Sequence, residues 1–212
     1  MKLELASAKA IRYACLKFHY AKSVPSVMVA FSVFNENKEW CGIIAYSAGA
    51  NNNLAKSIGL PQGACLELVR VALNGSQGVN TGKAVAVSLR LLKRLAPLCK
   101  VVISFADPEQ GHFGVLYQAT NWIYLGESKA QREVLHPKTG KVIHKRTANS
   151  LFGTIVGLQK SKMFYKRKYA YPLHCEANVI LEMMRKPYPK RVQSIIGDAP
   201  GNQSGEGGSI PT

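Results

Sequence analysis

The sequence predicts an α/β protein with a mixed central sheet flanked by helices, and two segments support this fold class. Residues 101–106 are apolar and rich in β-branched side chains, which is typical of a strand buried on both faces. Residues 84–95 repeat apolar side chains at helical spacing and predict a long amphipathic helix. Strands that alternate with helices in this way favour an open sheet covered by helices.

The N-terminal elements follow from simpler patterns. Residues 1–20 are expected to form a helix that leads to His19 and Tyr20. Residues 27–34 and 40–46 predict a β-hairpin across a polar turn. Residues 49–63 are polar and rich in Asn, which makes them a candidate active-site loop.

Two charged residues interrupt the next predicted strand, at residues 66–73. Glu67 and Arg70 stand in an otherwise apolar run, and charged groups are seldom buried unless they are paired or used. In a regular strand their side chains would face opposite sides, whereas a β-bulge between them would turn both to one side. A functional role for at least one of them is favoured over a structural ion pair.

A polar elbow follows the strand at residues 101–106. Asp107 and Pro108 are typical of a helix start, with Gln110 at the capping-box position, and a short helix and a strand at 123–125 come next. Open α/β sheets bind ligands at the carboxyl ends of their strands. The polar residues expected there are Asp107, Gln110, His112 and Tyr117. The alternatives are a helix cap for Asp107, core packing for Tyr117 and a plain loop position for His112.

Residues 74–83, before the long helix, are rich in Gly and small polar side chains. Free N–H groups at a helix start attract anions, although the same composition also suits an ordinary connection. A Walker motif is excluded, because the spacing before Gly82 and Lys83 lacks its first glycine.

The order of these elements resembles the acyl-CoA-binding core of the GNAT superfamily. In that family the Gly-rich loop holds the cofactor pyrophosphate, and a tyrosine after leucine lies near the thioester sulfur. Leu116-Tyr117 is similar to that pair, and residues 77–82 are similar to the loop motif, with Asn80 where its first glycine belongs. The resemblance implies a GNAT-like fold that uses acetyl-CoA or a related acyl donor. The implied cofactor-binding residues are Gln77, Gly78, Gly82 and Lys83.

Read together, the polar motifs are similar to the phage Mom family, GNAT-like proteins that modify adenine in DNA. The motifs are His19-Tyr20, Pro25-Ser26, Gly49-Ala50-Asn51 and residues 67–71, 105–108, 111–112, 118–124 and 187–191. The resemblance covers roughly residues 12–192. It implies a transferase that adds a carbamoylmethyl group to the exocyclic amine of adenine in double-stranded DNA. Such an enzyme would protect phage DNA from restriction in the host cytoplasm.

We assign expected roles on this basis. The catalytic residues are His19, Tyr20, Arg70, Asp107 and Tyr117, with Arg70 orienting a carbonyl or phosphate, Asp107 acting as base or ligand and Tyr117 donating a proton. The substrate-binding residues are Asn51, Glu67, Gln110, His112 and Trp122. The enzyme is expected to extrude the adenine from the base stack, with Tyr20 or Trp122 stacking on it.

The chemistry sets a further constraint. The exocyclic amine of adenine is a poor nucleophile, and plain attack on a thioester would give an N-acetyl product. The product of the Mom family is bonded through carbon, so an iron centre or another activated donor is expected. The candidate ligands are His19, Asp107 and His112, since imidazole and carboxylate suit non-haem iron.

The charge distribution indicates a polyanionic partner. The net charge is +16, of which residues 129–191 contribute +12 with aromatic side chains interleaved. This pattern is typical of proteins that bind the phosphate backbone, although a solvated basic strand or attachment to an acidic protein would share it. The expected DNA-binding residues are Lys141, Lys145, Arg146, Lys166, Arg167, Lys168, Lys190 and Arg191.

The remaining features bound the organisation of the chain. We expect a GNAT-like core at 1–128, a basic C-terminal extension at 129–196 that completes the same domain, and a disordered tail at 197–212. Five scattered cysteines without a C-x-x-C pair favour reduced thiols in an intracellular protein, and no signal peptide or transmembrane run is expected.

Two rival functions remain, an ordinary acetyltransferase acting on a protein or small amine and a non-catalytic DNA-binding protein. Monomer and homodimer both stay open.

Overall fold

The computed structural model describes residues 1–49, 53–143 and 145–189, without the side chain of Arg146. The strands are β1 (Lys2–Leu5), β2 (Val29–Phe34), β3 (Trp40–Ser47), β4 (Cys65–Leu73), β5 (Val101–Ala106), β6 (Ile123–Glu127), β7 (Val134–Leu135), β8 (Val142–Ile143) and β9 (Arg167–Pro172). The helices are α1 (Ala8–Lys17), α2 (Thr81–Leu95), α3 (Val115–Ala119), α4 (Lys145–Phe152) and α5 (Cys175–Met183). Short 3-10 helices lie at Lys56–Ile58, Gly78–Asn80 and Pro108–Gln110.

Within these ranges, a seven-stranded sheet has the order β1-β2-β3-β4-β5-β9-β6. The β4–β5 pair is parallel, and the other neighbours are antiparallel. β9 lies between β5 and β6 although it follows both in the chain. β7 and β8 form a separate hairpin. No helix of the described part of the chain is long and apolar enough to cross a membrane.

Helices cover both faces of the sheet. On one side, which we call the α2 face, Val85, Leu89 and Leu92 of α2 pack with Leu66, Leu68 and Val102 of the sheet. On the other side, the α1 face, α1 covers β2 to β4 and α5 covers β5, β9 and β6. Burial of apolar surface on both faces is the main force that stabilises this three-layer arrangement.

β4 contains the bulge that its two charges suggested. Ala45 of β3 pairs with Arg70 and Tyr46 pairs with Leu68, so Val69 is an extra residue in β4. A bulge of this kind shifts the alternation of side chains by one residue. Glu67, two residues after Cys65 of the α1-face core, and Arg70 therefore point to the same side of the sheet.

The parallel pair β4 and β5 then separates. Register pairs join Cys65 to Val101, Leu66 to Val102 and Glu67 to Ile103, and no pair follows, although β4 continues to Leu73 and β5 to Ala106. The two strands therefore diverge at their carboxyl ends, and this divergence creates the opening in which the candidate site lies.

Several predicted elements need correction. Residues 1–20 are not one helix, because β1 pairs with β2 before α1 begins at Ala8. The elbow helix is interrupted, because Gly111 and Gly114 adopt left-handed φ values of 72° and 86° between Gln110 and α3. The predicted hairpin at 27–46 is present as β2–β3. The predicted tail at 197–212 lies outside the described residues.

Candidate active site

A cleft of about 730 Å³ opens where β4 and β5 diverge. Its walls come from both faces of the sheet. The α2 face contributes Thr81, Ser104, Leu116 and Tyr117, and the α1 face contributes His19, Tyr20, Glu67, Arg70, Asp107 and Lys166. The cleft therefore passes through the sheet and can receive two reactants from opposite sides.

Most of the predicted catalytic and substrate-binding residues converge on this cleft. His19, Tyr20, Glu67, Arg70, Asp107, His112 and Tyr117 all line it. Sequence reasoning missed Ser104, Phe113, Gln131 and Glu133, which also line it. Ser104 had a visible signal, since it is the polar residue in the apolar run of β5. The roles assigned to these residues stay predictions.

His19 is a neutral imidazole in this setting. Burial lowers the pKa of His19 to about 4, and the nearby charges of Arg70, His112 and Lys22 act in the same direction. Its Nδ1 accepts a hydrogen bond from the Ala21 N–H at 3.1 Å, which places the proton of the neutral ring on Nε2. His19 thus offers an N–H donor to the cleft.

Three aromatic rings pack against one another at the mouth of the cleft. The His19 and Tyr20 centroids are 4.3 Å apart, and those of Tyr20 and His112 are 5.2 Å apart. Tyr20 is 47% exposed. Burial of its hydroxyl raises the pKa of Tyr20, Asp107 raises it further and Arg70 lowers it. The rings are tilted by 31° and 40° to each other, and the exposed ring of Tyr20 is of the kind on which a base can stack.

Arg70 connects β4 to the segment that follows α1. Its Nη1 donates to the Val69 carbonyl at 2.7 Å, and its Nη2 lies 3.3 Å from Ser23 Oγ. Its buried Nε has no hydrogen-bond partner within the described residues. Arg70 therefore supports the 19–23 segment, and it also lines the cleft.

The carboxylate of Asp107 contacts two groups. Its Oδ1 accepts from the Glu109 N–H at 3.1 Å as the cap of the 3-10 helix, and its Oδ2 lies 3.8 Å from Lys166 Nζ. The capping interpretation of Asp107 is therefore correct, and the same carboxylate also lines the cleft. One residue serves both roles.

Tyr117 lies at the floor of the cleft among aromatic rings. It stacks on Tyr169 at a centroid distance of 5.0 Å, and its hydroxyl lies 2.7 Å from Ser104 Oγ. Burial raises the pKa of Tyr117 to about 12, while the Ser104 hydrogen bond acts to lower it. Tyr117 is a protonated phenol at neutral pH.

The predicted cofactor loop meets the cleft at one residue, Thr81, the first residue of α2. The N–H groups of Gly78 and Asn80 close tight turns onto Gly75 and Gln77, so they are not available as a phosphate cradle. The N-cap Asn80 makes no side-chain bond to the helix. The start of α2 can therefore still present N–H groups to an anion.

The other loop residues do not line the cleft. Lys83 is exposed, with its Nζ 3.8 Å from Glu36. Gly82 packs on α3, because a Cβ there would lie 3.2 Å from Thr120 Cγ2. Of this segment only Thr81, at the start of α2, reaches the cleft, whereas Gln77, Gly78, Gly82 and Lys83 do not line it.

Two predicted substrate-binding residues lie elsewhere. Trp122 is fully buried among core side chains, with its ring against Tyr117 and Tyr171, so it cannot stack on an incoming base. Gln110 is exposed and does not line the cleft. Asn51 lies outside the described residues.

The proposed iron ligands do not form a metal site. Within the described residues, no group of three or more His, Cys, Asp or Glu side chains could hold a metal ion. The reason is visible at the cleft mouth, where the Tyr20 ring packs against both imidazoles and Asp107 is engaged with Glu109 and Lys166. The expectation that His19, Asp107 and His112 ligate iron is not supported.

The predicted DNA-binding residues divide into two groups. Lys141 and Lys145 are exposed, at the β7–β8 hairpin and the start of α4. Lys166 faces Asp107, Arg167 donates to the Phe113 carbonyl at 3.1 Å, and Lys168 donates to Ser57 Oγ at 2.8 Å. The side chains of this second group are partly exposed, and each contacts another group of the protein. Lys190, Arg191 and the Arg146 side chain lie outside the described part.

The fold is that of the GNAT acetyltransferases. The structure matches a crystal structure of a protein assigned as a phosphinothricin N-acetyltransferase, with a TM-score of 0.50 and 11% identity over 82% of this chain and 98% of that chain. A ribosomal-protein-S5-alanine acetyltransferase from Vibrio fischeri gives a TM-score of 0.47 at 11% identity, over 82% of this chain and 93% of that chain. At such identity, the likeness shows the fold alone.

Comparison of the sequence identifies one family among the proteins that share this fold. The model of the Mom protein family matches residues 1–190, and the chain belongs to that family. It is 24% identical over 155 residues to the methylcarbamoylase Mom of Escherichia phage Mu. That match covers 71% of this chain and spans 63% of the length of the phage Mu protein. The resemblance drawn from the polar motifs is confirmed.

Proposed function

We propose that this protein is a transferase that modifies adenine in double-stranded DNA, adding a carbamoylmethyl group to the exocyclic amine. The observation that carries the proposal is the cleft through the sheet, on which six polar residues of the motifs similar to the Mom family converge together with Tyr117. In a phage, such a modification would protect the DNA from restriction.

The two sides of the cleft suggest which reactant enters from where. On the α1 face, the ring group of His19, Tyr20 and His112 offers an exposed surface for an extruded base. The same side is bordered by Gln131 and Glu133, at the base of the basic 129–166 segment. The adenine therefore enters from the α1 face, next to the positive charges that would hold the phosphate backbone.

The donor enters from the α2 face. The opening between β4 and β5 is lined by Thr81, at the start of α2, and by Tyr117. An acyl-CoA would place its pyrophosphate at the first turn of α2. Because attack on its thioester carbon would release the CoA thiolate and give an N-acyl product, carbamoylmethyl transfer requires a donor whose CH2 carbon carries its own leaving group.

The side chains of the cleft divide the chemical work. The exocyclic amine must lose a proton when its nitrogen bonds to the carbon of the donor, and Asp107 lies on the α1 face to accept that proton. Arg70 lines the cleft and would orient a carbonyl or phosphate oxygen through its positive charge. Tyr117, on the α2 face, holds a proton for the group that leaves.

An ordinary acetyltransferase is the second candidate, because the GNAT fold itself favours it. Such an enzyme would consume acetyl-CoA with a protein or small amine in the absence of DNA. The basic 129–191 region argues for a polyanionic substrate instead.

The decisive experiment is nucleoside mass spectrometry of DNA from bacterial cells that express the wild type, Asp107→Asn or Glu109→Gln. Asparagine retains the capping oxygen, so Asp107→Asn removes the carboxylate charge without removing the cap. Glu109 lies in the same turn, is paired with Lys162 and does not line the cleft, which makes it the matched control. We expect carbamoylmethyl-adenine with the wild type and Glu109→Gln, and none with Asp107→Asn.

Two results would contradict the proposal. Unmodified adenine in cells that contain folded wild-type protein would exclude the reaction, and DNA-free turnover of acetyl-CoA with an amine would favour the acetyltransferase. Calorimetry with acetyl-CoA and with CoA tests the donor separately.

A further inference from the structure

A buried hydroxyl pair joins the two strands at the point where they diverge. Ser104 is 1% exposed and lies in β5, one residue after the last register pair with β4. Its Oγ donates to the Leu68 carbonyl at 3.0 Å and lies 2.7 Å from the Tyr117 hydroxyl. Leu68 is likewise one residue beyond the last paired position of β4. A side-chain bridge therefore replaces the backbone ladder where that ladder stops.

The direction of the two hydrogen bonds follows from the count of protons. A serine hydroxyl has one proton, and that of Ser104 is used by the Leu68 carbonyl. The bond between Ser104 and Tyr117 must then carry the proton of Tyr117, donated to Ser104 Oγ. In this state, Tyr117 offers a lone pair to the cleft and directs its proton into the core.

We propose that Ser104 is the positioning residue that controls the proton of Tyr117, a role that rests on the function proposed above. At rest, Ser104 holds Tyr117 as a hydrogen-bond acceptor toward the cleft, which suits a ligand that carries an N–H group, such as the amine of adenine or an amide. When Tyr117 gives its proton to a leaving group, Ser104 turns its own O–H from Leu68 to the phenolate.

Each proton in this step has a defined donor and acceptor. The O–H bond of Tyr117 breaks, and its proton passes to the leaving atom of the donor. Ser104 keeps its proton and exchanges one acceptor, the Leu68 carbonyl, for another, the phenolate oxygen. Water later returns a proton to Tyr117, after which Ser104 turns back to Leu68. The proton transfer changes no oxidation state, because the leaving atom of the donor departs with the electron pair of the bond that breaks.

The chain contains a matched control for this arrangement. Ser88 in α2 is fully buried, donates to the Val85 carbonyl at 2.7 Å and lies 2.6 Å from the Tyr46 hydroxyl. Neither Ser88 nor Tyr46 lines the cleft. The Ser88–Tyr46 pair thus has the same chemistry and burial as Ser104–Tyr117 but no access to a ligand, so it reports the structural cost of removing such a serine.

The test is a double-mutant cycle of Ser104→Ala and Tyr117→Phe, with Ser88→Ala alongside. Initial rates of adenine modification are measured on duplex DNA at several concentrations, and thermal unfolding is measured for each variant. We expect Ser104→Ala to lower kcat by about 10-fold or more, as expected for a hydrogen bond to a developing charge, with little change in KM. It should have no further effect in the Tyr117→Phe background, because the group it controls is then absent. Ser88→Ala should lower thermal stability and leave kcat unchanged.

A second readout does not depend on activity. Tyr117 is replaced by 3,5-difluorotyrosine, whose phenol ionises nearer neutral pH, and its ionisation is followed by absorbance. Because Ser104 stabilises the ionised form, Ser104→Ala should raise the pKa at position 117. The corresponding substitution at Tyr46 should show no response to Ser104→Ala.

Each other outcome identifies what has failed. Wild-type protein that modifies no adenine contradicts the proposed function, whereas the fluorotyrosine titration still decides the role of Ser104. Equal kcat values for Ser104→Ala and wild type, or additive effects in the cycle, would overturn the inference and leave Ser104 as a structural bridge. Loss of folding in Ser104→Ala alone would overturn it as well, and Ser104→Thr, which keeps the hydroxyl, should restore the rate if the inference is correct.

Discussion

His19 shows how the surroundings of a residue decide its chemistry. A histidine beside Arg70, Lys22 and His112 in a partly buried position is held neutral, which makes it a hydrogen-bond donor rather than a cation. The sequence placed His19 near a site through the His-Tyr pair. Its protonation state depends on partners far away in the chain and could not be predicted from that pair.

The same residue gives the protein a measurable pH dependence. The pKa of His19 falls from 6.5 to about 4 on folding, so the unfolded chain takes up a proton at a higher pH than the folded chain. The free energy of unfolding should therefore decrease as the pH falls from 6.5 toward 4. Thermal unfolding of His19→Gln across this range should show a shallower decline than the wild type. Parallel declines would show that other groups cause the acid sensitivity.

Aromatic residues illustrate the limit of prediction at this scale. Tyr20 and Trp122 were equal candidates for stacking on a base, since a ring next to a polar motif is compatible with both core and surface. The structure leaves Tyr20 half exposed at the cleft mouth and buries Trp122 completely. Only the packing of β9 and α3 around Trp122 separates the two cases.

At the scale of elements, apolar patterns identified the interior strands well. β5 has the predicted bounds, and the bulge in β4 is one of the two alternatives that the spacing of its charges left open. β1 and β9 were missed, because each carries charged side chains and depends on its partners for burial. A strand such as Arg167–Pro172 becomes a strand only when β5 and β6 lie on either side of it.

The packing of α2 on α3 gives a prediction for Gly82. Alanine normally stabilises a helix relative to glycine by up to about 1 kcal/mol. Here the new Cβ would lie 3.2 Å from Thr120 Cγ2, and the Thr120 side chain is held by a 2.7 Å bond to the Leu116 carbonyl. Gly82→Ala alone should therefore gain little or lose stability. In a Thr120→Ser background, which removes Cγ2, Gly82→Ala should recover most of the increase in the free energy of unfolding that alanine normally gives a helix, as measured by chemical denaturation. An equal increase in the free energy of unfolding in both backgrounds would show that the contact between the new Cβ and Thr120 Cγ2 does not destabilise the protein.

At the scale of the whole molecule, positive charge is concentrated in the C-terminal part, but charge alone did not reveal which cations are accessible. Lys166, Arg167 and Lys168 alternate along β9 and its approach, and each is engaged with a protein group. Burial lowers the pKa of Lys168, which agrees with an interior role. The exposed cations of the hairpin and α4 are better candidates for contacts to phosphate.

DNA binding should depend on those exposed cations. Lys138, Lys141 and Lys145 are all exposed, and each phosphate contact contributes a slope of about 0.9 in a plot of log affinity against log salt. Replacing the three with Ala should flatten the slope and weaken binding to all sequences alike. The matched control is Arg90→Ala, Lys93→Ala and Arg94→Ala, which removes three exposed charges toward the far end of α2. Equal losses in both triple variants would indicate attraction by net charge alone.

The place of β9 in the sheet has a consequence for how the protein is made. Its partners Val101–Ala106 and Ile123–Glu127 leave the ribosome well before residues 167–172 do. Until then, each partner exposes an unpaired strand edge, which is prone to association with other chains. Pairing over such a separation in sequence also slows folding. The departure of residue 172 from the ribosome is thus the earliest moment at which the nascent chain can close its sheet and protect those two edges.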